Sequence, residues 1–145
     1  MKRAVFGFDG GSSTVLIDAA PPERERSDRG GMVSREVWST IGPPTVATED
    51  RTLDLPINGM VNPGETRFRV VTFSAQHTSP MHRTRTIDYG VILSGSVDVL
   101  MEDGSSAHLE TGDCLVQLGA MHAWRNASDQ PVTIAFVMVG AERPV

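Results

Sequence analysis

Apolar and polar residues alternate with period two along most of this chain, in runs too short for anything but strands. The runs RAVFGFD and STVLID flank Asp9-Gly10-Gly11, which predicts a hairpin whose turn uses residues that accept positive φ. Residues 19–31 are rich in proline and mixed charge and predict a solvated loop. Residues 32–40 predict a strand, with Val33, Arg35 and Val37 on one face and Met32, Ser34, Glu36 and Trp38 on the other. Residues 41–65 keep no period, and a segment of that length is either a lid or a crossover covering one end of a barrel. Residues 66–74 alternate again. Beyond residue 80, runs such as SVDVLME, SAHLE, CLVQL, MHAWRN and PVTIAFVMVG are separated by glycine or Asp-Gly turns. Many short strands so punctuated predict an all-β sandwich or barrel, and no stretch holds a helical period or repeats another.

Composition narrows the class. A chain of 145 residues with 39% hydrophobic content makes one domain with a real core, here N-terminal strands within 1–40 and a barrel core at about 62–140. No apolar run approaches a membrane span, and Gly7 and Asp9 interrupt the N-terminal stretch before it could serve as an export signal, so the expected location is cytoplasmic, away from membranes. A net charge of −5 argues against nucleic acid, whose phosphates require clustered Lys and Arg. Lys2 is the one lysine, which leaves Schiff-base chemistry without a nucleophile in the body of the chain. Cys114 cannot form an internal disulfide and, inside CLVQL, is expected to be a buried small hydrophobe.

The candidate chemistry lies between Pro80 and Asn126. Residues two apart on a strand face the same way, so His82 goes with Thr84, Asp88 with Gly90 and Ile92, and His122 with Trp124 and Asn126. Two imidazoles and a carboxylate converging in one interior need partners, and such groups suit acid–base work near neutral pH. His77 is expected at the rim, His108 on a surface strand, and Tyr89 outside the cavity. Arg67 and Arg69 share a face, and strand arginines generally point to solvent. Turned inward, Arg69 would suit a substrate carboxylate. Ile92, Trp124, Phe136 and Met138 are candidate pocket walls.

These residues resemble the motifs of the cupin superfamily. His82, Asp88 and Gly95 match its first motif. Gly112, Gly119, His122 and Asn126 match its second, and the likeness covers residues 62–139. The resemblance implies a double-stranded β-helix (jelly-roll) barrel, a homodimer paired through N-terminal strands, and a small-molecule substrate. It also implies a divalent metal, such as Fe, Mn, Ni or Zn, held by His82, Asp88 and His122. Departures from the pattern are Thr84 where the family has a second histidine, Asp88 where it has glutamate, and the lack of the motif proline at Gln117 or Leu118. His82, Asp88 and His122 are therefore the catalytic candidates with or without an ion, and Arg69, Thr84, Ile92, Trp124, Phe136 and Met138 the substrate-binding ones. The expected activity is of lyase type, a decarboxylation or dehydration of a small organic acid or polyketide-like intermediate. The alternatives are a metal-dependent dioxygenase or isomerase, and a barrel that binds a small ligand without turnover.

Overall fold

A computed structural model describes residues 1–9, 11–26, 31–42 and 60–142. Every regular element among them is a strand. In chain order these are β1 (Arg3–Asp9), β2 (Ser12–Ala19), β3 (Glu23–Arg26), β4 (Met32–Thr40), β5 (Thr66–Phe73) and β6 (His77–Thr78). The series continues with β7 (Thr86–Ser94), β8 (Ser96–Met101), β9 (Ser106–Glu110), β10 (Cys114–Gln117), β11 (His122–Asn126) and β12 (Val132–Gly140). The all-β jelly roll implied by the motifs is the fold observed.

One sheet has six strands in the order β10-β7-β12-β5-β4-β3, and another has four in the order β6-β11-β8-β9. The β1–β2 hairpin forms a third sheet of its own. Strand identity follows the pattern: β7 buries Thr86, Asp88, Gly90 and Ile92 and exposes Tyr89 and Val91, the strict alternation of a strand with one face inward. The core gathers Val71 and Phe73 of β5, Ile92 of β7, Val97 of β8, Trp124 of β11 and Val132, Ile134, Phe136 and Met138 of β12. Each large chain removed from water there contributes about 1.5–3 kcal/mol. At Gly95 the backbone turns from β7 into β8 with φ of +77°, and a Cβ would sit 3.0 Å from the Pro131 carbonyl oxygen. Only glycine meets both conditions without strain.

Several expectations needed correction. Residues 23–26 are not loop but the edge strand β3, paired with β4; Glu23 lies opposite Arg35 and bridges it at 2.9 Å. An edge strand can be this charged because its outer side meets water. Trp38 does not share a face with Glu36. The β4–β5 register shifts between the two, so Trp38 pairs with Phe68 on the outer face while Glu36 stays inside. Such a bulge reverses the parity that follows it. Cys114 is exposed rather than buried, because the inward residues of β10 are Leu115 and Gln117. Most of the irregular segment read as lid or crossover lies outside the described residues.

The outer face of the six-stranded sheet is apolar across five strands. Register aligns Trp38, Phe68, Val137, Tyr89 and Val116 in one transverse row. Tyr89 at 51% and Val116 at 60% exposure are its most open members. The hairpin arm carries a matching feature: Phe6, 73% exposed, pairs with exposed Val15. Arg3 roots the arm with a 2.8 Å bond to the Val37 carbonyl, at the bulge beside Trp38.

Candidate functional site

The site begins with a single isolated bridge. His82, on the segment between β6 and β7, pairs antiparallel with His122 at the start of β11. The N–H of each donates to the carbonyl of the other, at 2.8 and 2.9 Å, and the ring centroids lie 4.5 Å apart. Each imidazole is also tied to its own chain. Nδ1 of His82 bonds the Pro80 carbonyl at 2.8 Å, and Nδ1 of His122 bonds the Ala120 carbonyl at 2.9 Å. A carbonyl only accepts, so both Nδ1 atoms carry a proton.

Asp88 comes from the opposite sheet, on β7, and is buried. Burial pushes its carboxyl above the ordinary value. The Thr86 hydroxyl bond and the nearby charges of Arg69 and His122 pull the other way, less strongly. One oxygen, Oδ1, is buried with no hydrogen-bond partner. Thr86 Oγ lies 2.7 Å from Thr84 Oγ, donating toward it. The Thr86 hydroxyl thus stands between the acid and Thr84 on the cavity wall.

The cavity between the sheets is lined by apolar Met32, Val71, Phe73, Trp124 and Phe136 and by polar Arg69, Ser79, His82, Thr84, Asp88 and His122. Trp124 meets both His122 and Phe136 edge-on, each at 5.3 Å. The cavity holds about 30 Å³ of open volume, room for about two waters, within about 420 Å³ of non-atom space that includes open solvent.

The sequence candidates therefore divide. His82, Asp88, His122, Thr84, Trp124, Phe136 and Arg69 all reach the cavity wall. Ile92 and Met138 do not; both sit in the packed core. Arg67 and Arg69 face inward, against the general habit of strand arginines, because the inner face of β4 offers acceptors. Arg67 reaches Glu36 at 3.7 Å, and Ser34 donates to the same carboxylate at 3.1 Å. That inward Glu36 was already signalled by its parity with Met32. Ser79 had no such signal: its Oγ accepts the Trp124 N–H at 2.9 Å and so reaches the wall. His77 is buried and stacked on Phe73 at 5.2 Å instead of at the rim, held there by the β6–β11 pairing. His108 is exposed, its Nδ1 bonded to Asp98 at 2.6 Å. Asn126, matched to the second motif, acts structurally: its amide donates to the Ser74 and Gln130 carbonyls, and its oxygen accepts from Ser128.

The donor set does not fit the expected three-ligand ion. Among the described residues, no group of three or more His, Cys, Asp or Glu side chains is gathered where one ion could join them. The two imidazoles are assembled side by side. Asp88, one methylene shorter than glutamate and rooted in the other sheet, does not complete them, and Thr84 is a poor donor in place of an imidazole.

Comparison with known proteins agrees with this architecture. Residues 60–139 match the model of the Cupin domain family (Cupin_2). The chain belongs to the cupin family. Over 70 residues this cupin is 44% identical to the phomopsin biosynthesis cluster protein D of Diaporthe leptostromiformis, a match spanning 48% of the chain and 37% of that relative. It is 26% identical over 131 residues to the cupin-domain-containing oxidoreductase srdB of Neurospora crassa, covering 88% of the chain and 67% of the relative. The cupin domain of Schizosaccharomyces pombe Cnp3 superposes with a TM-score of 0.61 at 9% identity, over 96% of this chain and 87% of that one, a likeness of fold alone.

Proposed function

We propose that this cupin is an enzyme of small-molecule biosynthesis. Its substrate is a small organic acid or polyketide-like intermediate, and its reaction a lyase-type proton transfer, either decarboxylation or dehydration. The observation that carries the proposal is the pair of Nδ1-tethered imidazoles facing one cavity with a buried carboxyl. An imidazole suits the general base, and a carboxyl whose proton affinity is raised by burial suits the general acid. In a dehydration, His82 or His122 takes a proton from the substrate carbon and Asp88 gives one, through Thr86 and Thr84, to the hydroxyl, which leaves as water. In a decarboxylation, the electrons of the broken C–C bond stay on carbon as carbon dioxide leaves, and the acid protonates that carbon. The aromatic wall excludes water and holds the apolar part of the substrate. A relative named for a biosynthesis cluster supports the small-molecule role.

The test follows deuterium exchange and product formation by NMR across a panel of hydroxy and keto acids in D₂O. Turnover that disappears in His82→Ala and His122→Ala supports the proposal. Turnover that persists in both variants overturns it. A second reading, oxidoreductase chemistry, is favoured by the name of the Neurospora crassa relative. Oxygen consumption coupled to product would select it.

We also propose that two copies pair through the apolar outer face of the six-stranded sheet. The same chain carries a flat apolar row and a projecting ribbon with exposed Phe6 and Val15. A lone two-stranded ribbon is marginal in water, and reciprocal exchange covers both surfaces. Five strands at ~4.8 Å spacing make a row ~19 Å wide, within the ~24 Å reach of a seven-residue strand.

A further inference from the structure

Arg69 projects from the inner face of β5 into the cavity. Its cross-strand neighbours are Glu36 on β4 and Phe136 on β12, so the guanidinium leaves the sheet between a carboxylate and an aromatic ring. Arg67, two residues earlier on the same face, engages Glu36 together with Ser34. Arg69 therefore stands in a belt of inward charges on the cavity wall. It is close enough to Asp88 for its charge to act on that carboxyl.

Among the described residues the donors for a three-ligand ion are not gathered. We propose that Arg69 supplies the positive charge that receives an anionic substrate: the cavity binds the carboxylate of a small organic acid through the Arg69 guanidinium. The planar apolar part of the acid then lies toward Trp124 and Phe136. The geometry agrees, since a guanidinium offers paired parallel donors to a carboxylate and stacks readily against an aromatic ring.

This ligand class rests on the acid–base site proposed above, but its test requires no turnover. Benzoate serves as probe and benzamide as its uncharged isostere, with affinities measured by isothermal titration calorimetry on the full chain with and without EDTA. Benzoate is expected to bind and benzamide to bind far less. Arg69→Gln is expected to weaken benzoate about ten- to a hundredfold, the worth of a charged hydrogen-bonded contact, with EDTA making no difference. Arg69→Lys, which keeps the charge and loses the fork, should fall between. Thermal melts and circular dichroism establish that each variant is folded; if Arg69→Gln is not, the Lys variant and the benzamide comparison decide. Benzoate binding that is equal in a folded Arg69→Gln, or that EDTA removes and a divalent ion restores, overturns the assignment. So does a wild-type chain that binds benzoate no better than benzamide. Carboxylate binding at Arg69 without turnover of any acid sinks the enzymatic proposal and leaves this one standing. Turnover of an uncharged substrate does the reverse.

Discussion

His82 and His122 face each other across a bridge of two main-chain hydrogen bonds, with ring centroids 4.5 Å apart, although forty residues of sequence separate them. They differ in surroundings: His122 is 2% exposed and packed against Trp124, whereas His82 is only half-buried. Replacing either by alanine is expected to lower turnover about 10²- to 10⁴-fold, the usual worth of a positioned acid or base. The double variant should lose less than the product of the two, because the pair works on one substrate. Stability separates them. His122→Ala opens a cavity beside Trp124 and should cost about 2–3 kcal/mol in urea unfolding, while His82→Ala should cost well under half of that. Equal destabilisation of the two would contradict the burial difference.

Asp88 makes a prediction about pH. Burial raises its folded-state carboxyl above the unfolded value of about 3.9. Below the unfolded value both states hold the proton, and the group is neutral for stability. As pH climbs from there through the raised value, the unfolded chain releases its proton first and stability falls. Asp88→Asn removes that fall. The melting temperature of the variant relative to wild type should therefore be higher at pH 7 than at pH 3.5. A difference that does not change with pH would show that the carboxyl pays no burial penalty.

Much of this architecture was legible in the sequence, and the misses have physical causes. β5, β7, β11 and β12 read correctly because period-two alternation is a direct consequence of one buried face. The inward set Thr86, Asp88, Gly90 and Ile92 follows from that alone. The motif glycines and histidines placed the site between the sheets. Trp38 was misassigned because a bulge is a local change of register with no mark in the composition. Arg67 and Arg69 were misread because the direction of a strand arginine depends on groups elsewhere in the fold, here for Arg67 the Glu36 carboxylate on a neighbouring strand. Ile92 and Met138 share the inward parity of true wall residues, and only the packing of the second sheet assigns them to the core.

The departures from the family pattern can be reversed. Thr84 already lines the cavity, and Asp88 falls short by one methylene. Thr84→His with Asp88→Glu restores both missing donors beside His82 and His122. Elemental analysis after dialysis against divalent ions should show approximately stoichiometric metal in the double variant and much less in wild type. Stoichiometric, tightly held metal in wild type would mean that Asp88 reaches the two imidazoles after all.

Gly140 closes the far end of β12. Its N–H donates to the Glu65 carbonyl at 2.8 Å, and a Cβ there would run into the Asn62 carbonyl and the Pro63 nitrogen. The obstacle is backbone, which cannot swing aside as a side chain can. Gly140→Ala is expected to cost about 3 kcal/mol, the upper end for overpacking. Gly104→Ala meets no neighbour and carries only the strain of φ +86°, so it should cost about 1 kcal/mol. Urea midpoints of the two variants compare them directly, and equal midpoints would remove the steric argument.

The outer row Trp38, Phe68, Val137, Tyr89 and Val116 and the ribbon bearing Phe6 and Val15 predict association. Light scattering behind size exclusion should give twice the chain mass of 15.7 kDa. A lysine at the centre of an apolar interface must be desolvated without a partner, so Tyr89→Lys should return the protein to monomer. The side chain already lies at 51% exposure, so the same change should leave the monomer folded. Phe6→Asp, on the arm, should do likewise if the arm is what lies on the partner. Dissociation by Tyr89→Lys but not by Phe6→Asp would mean that the two sheets pack face to face and the arm is a bystander. A wild-type chain that elutes as a monomer at high micromolar concentration would show that both surfaces stand open to water.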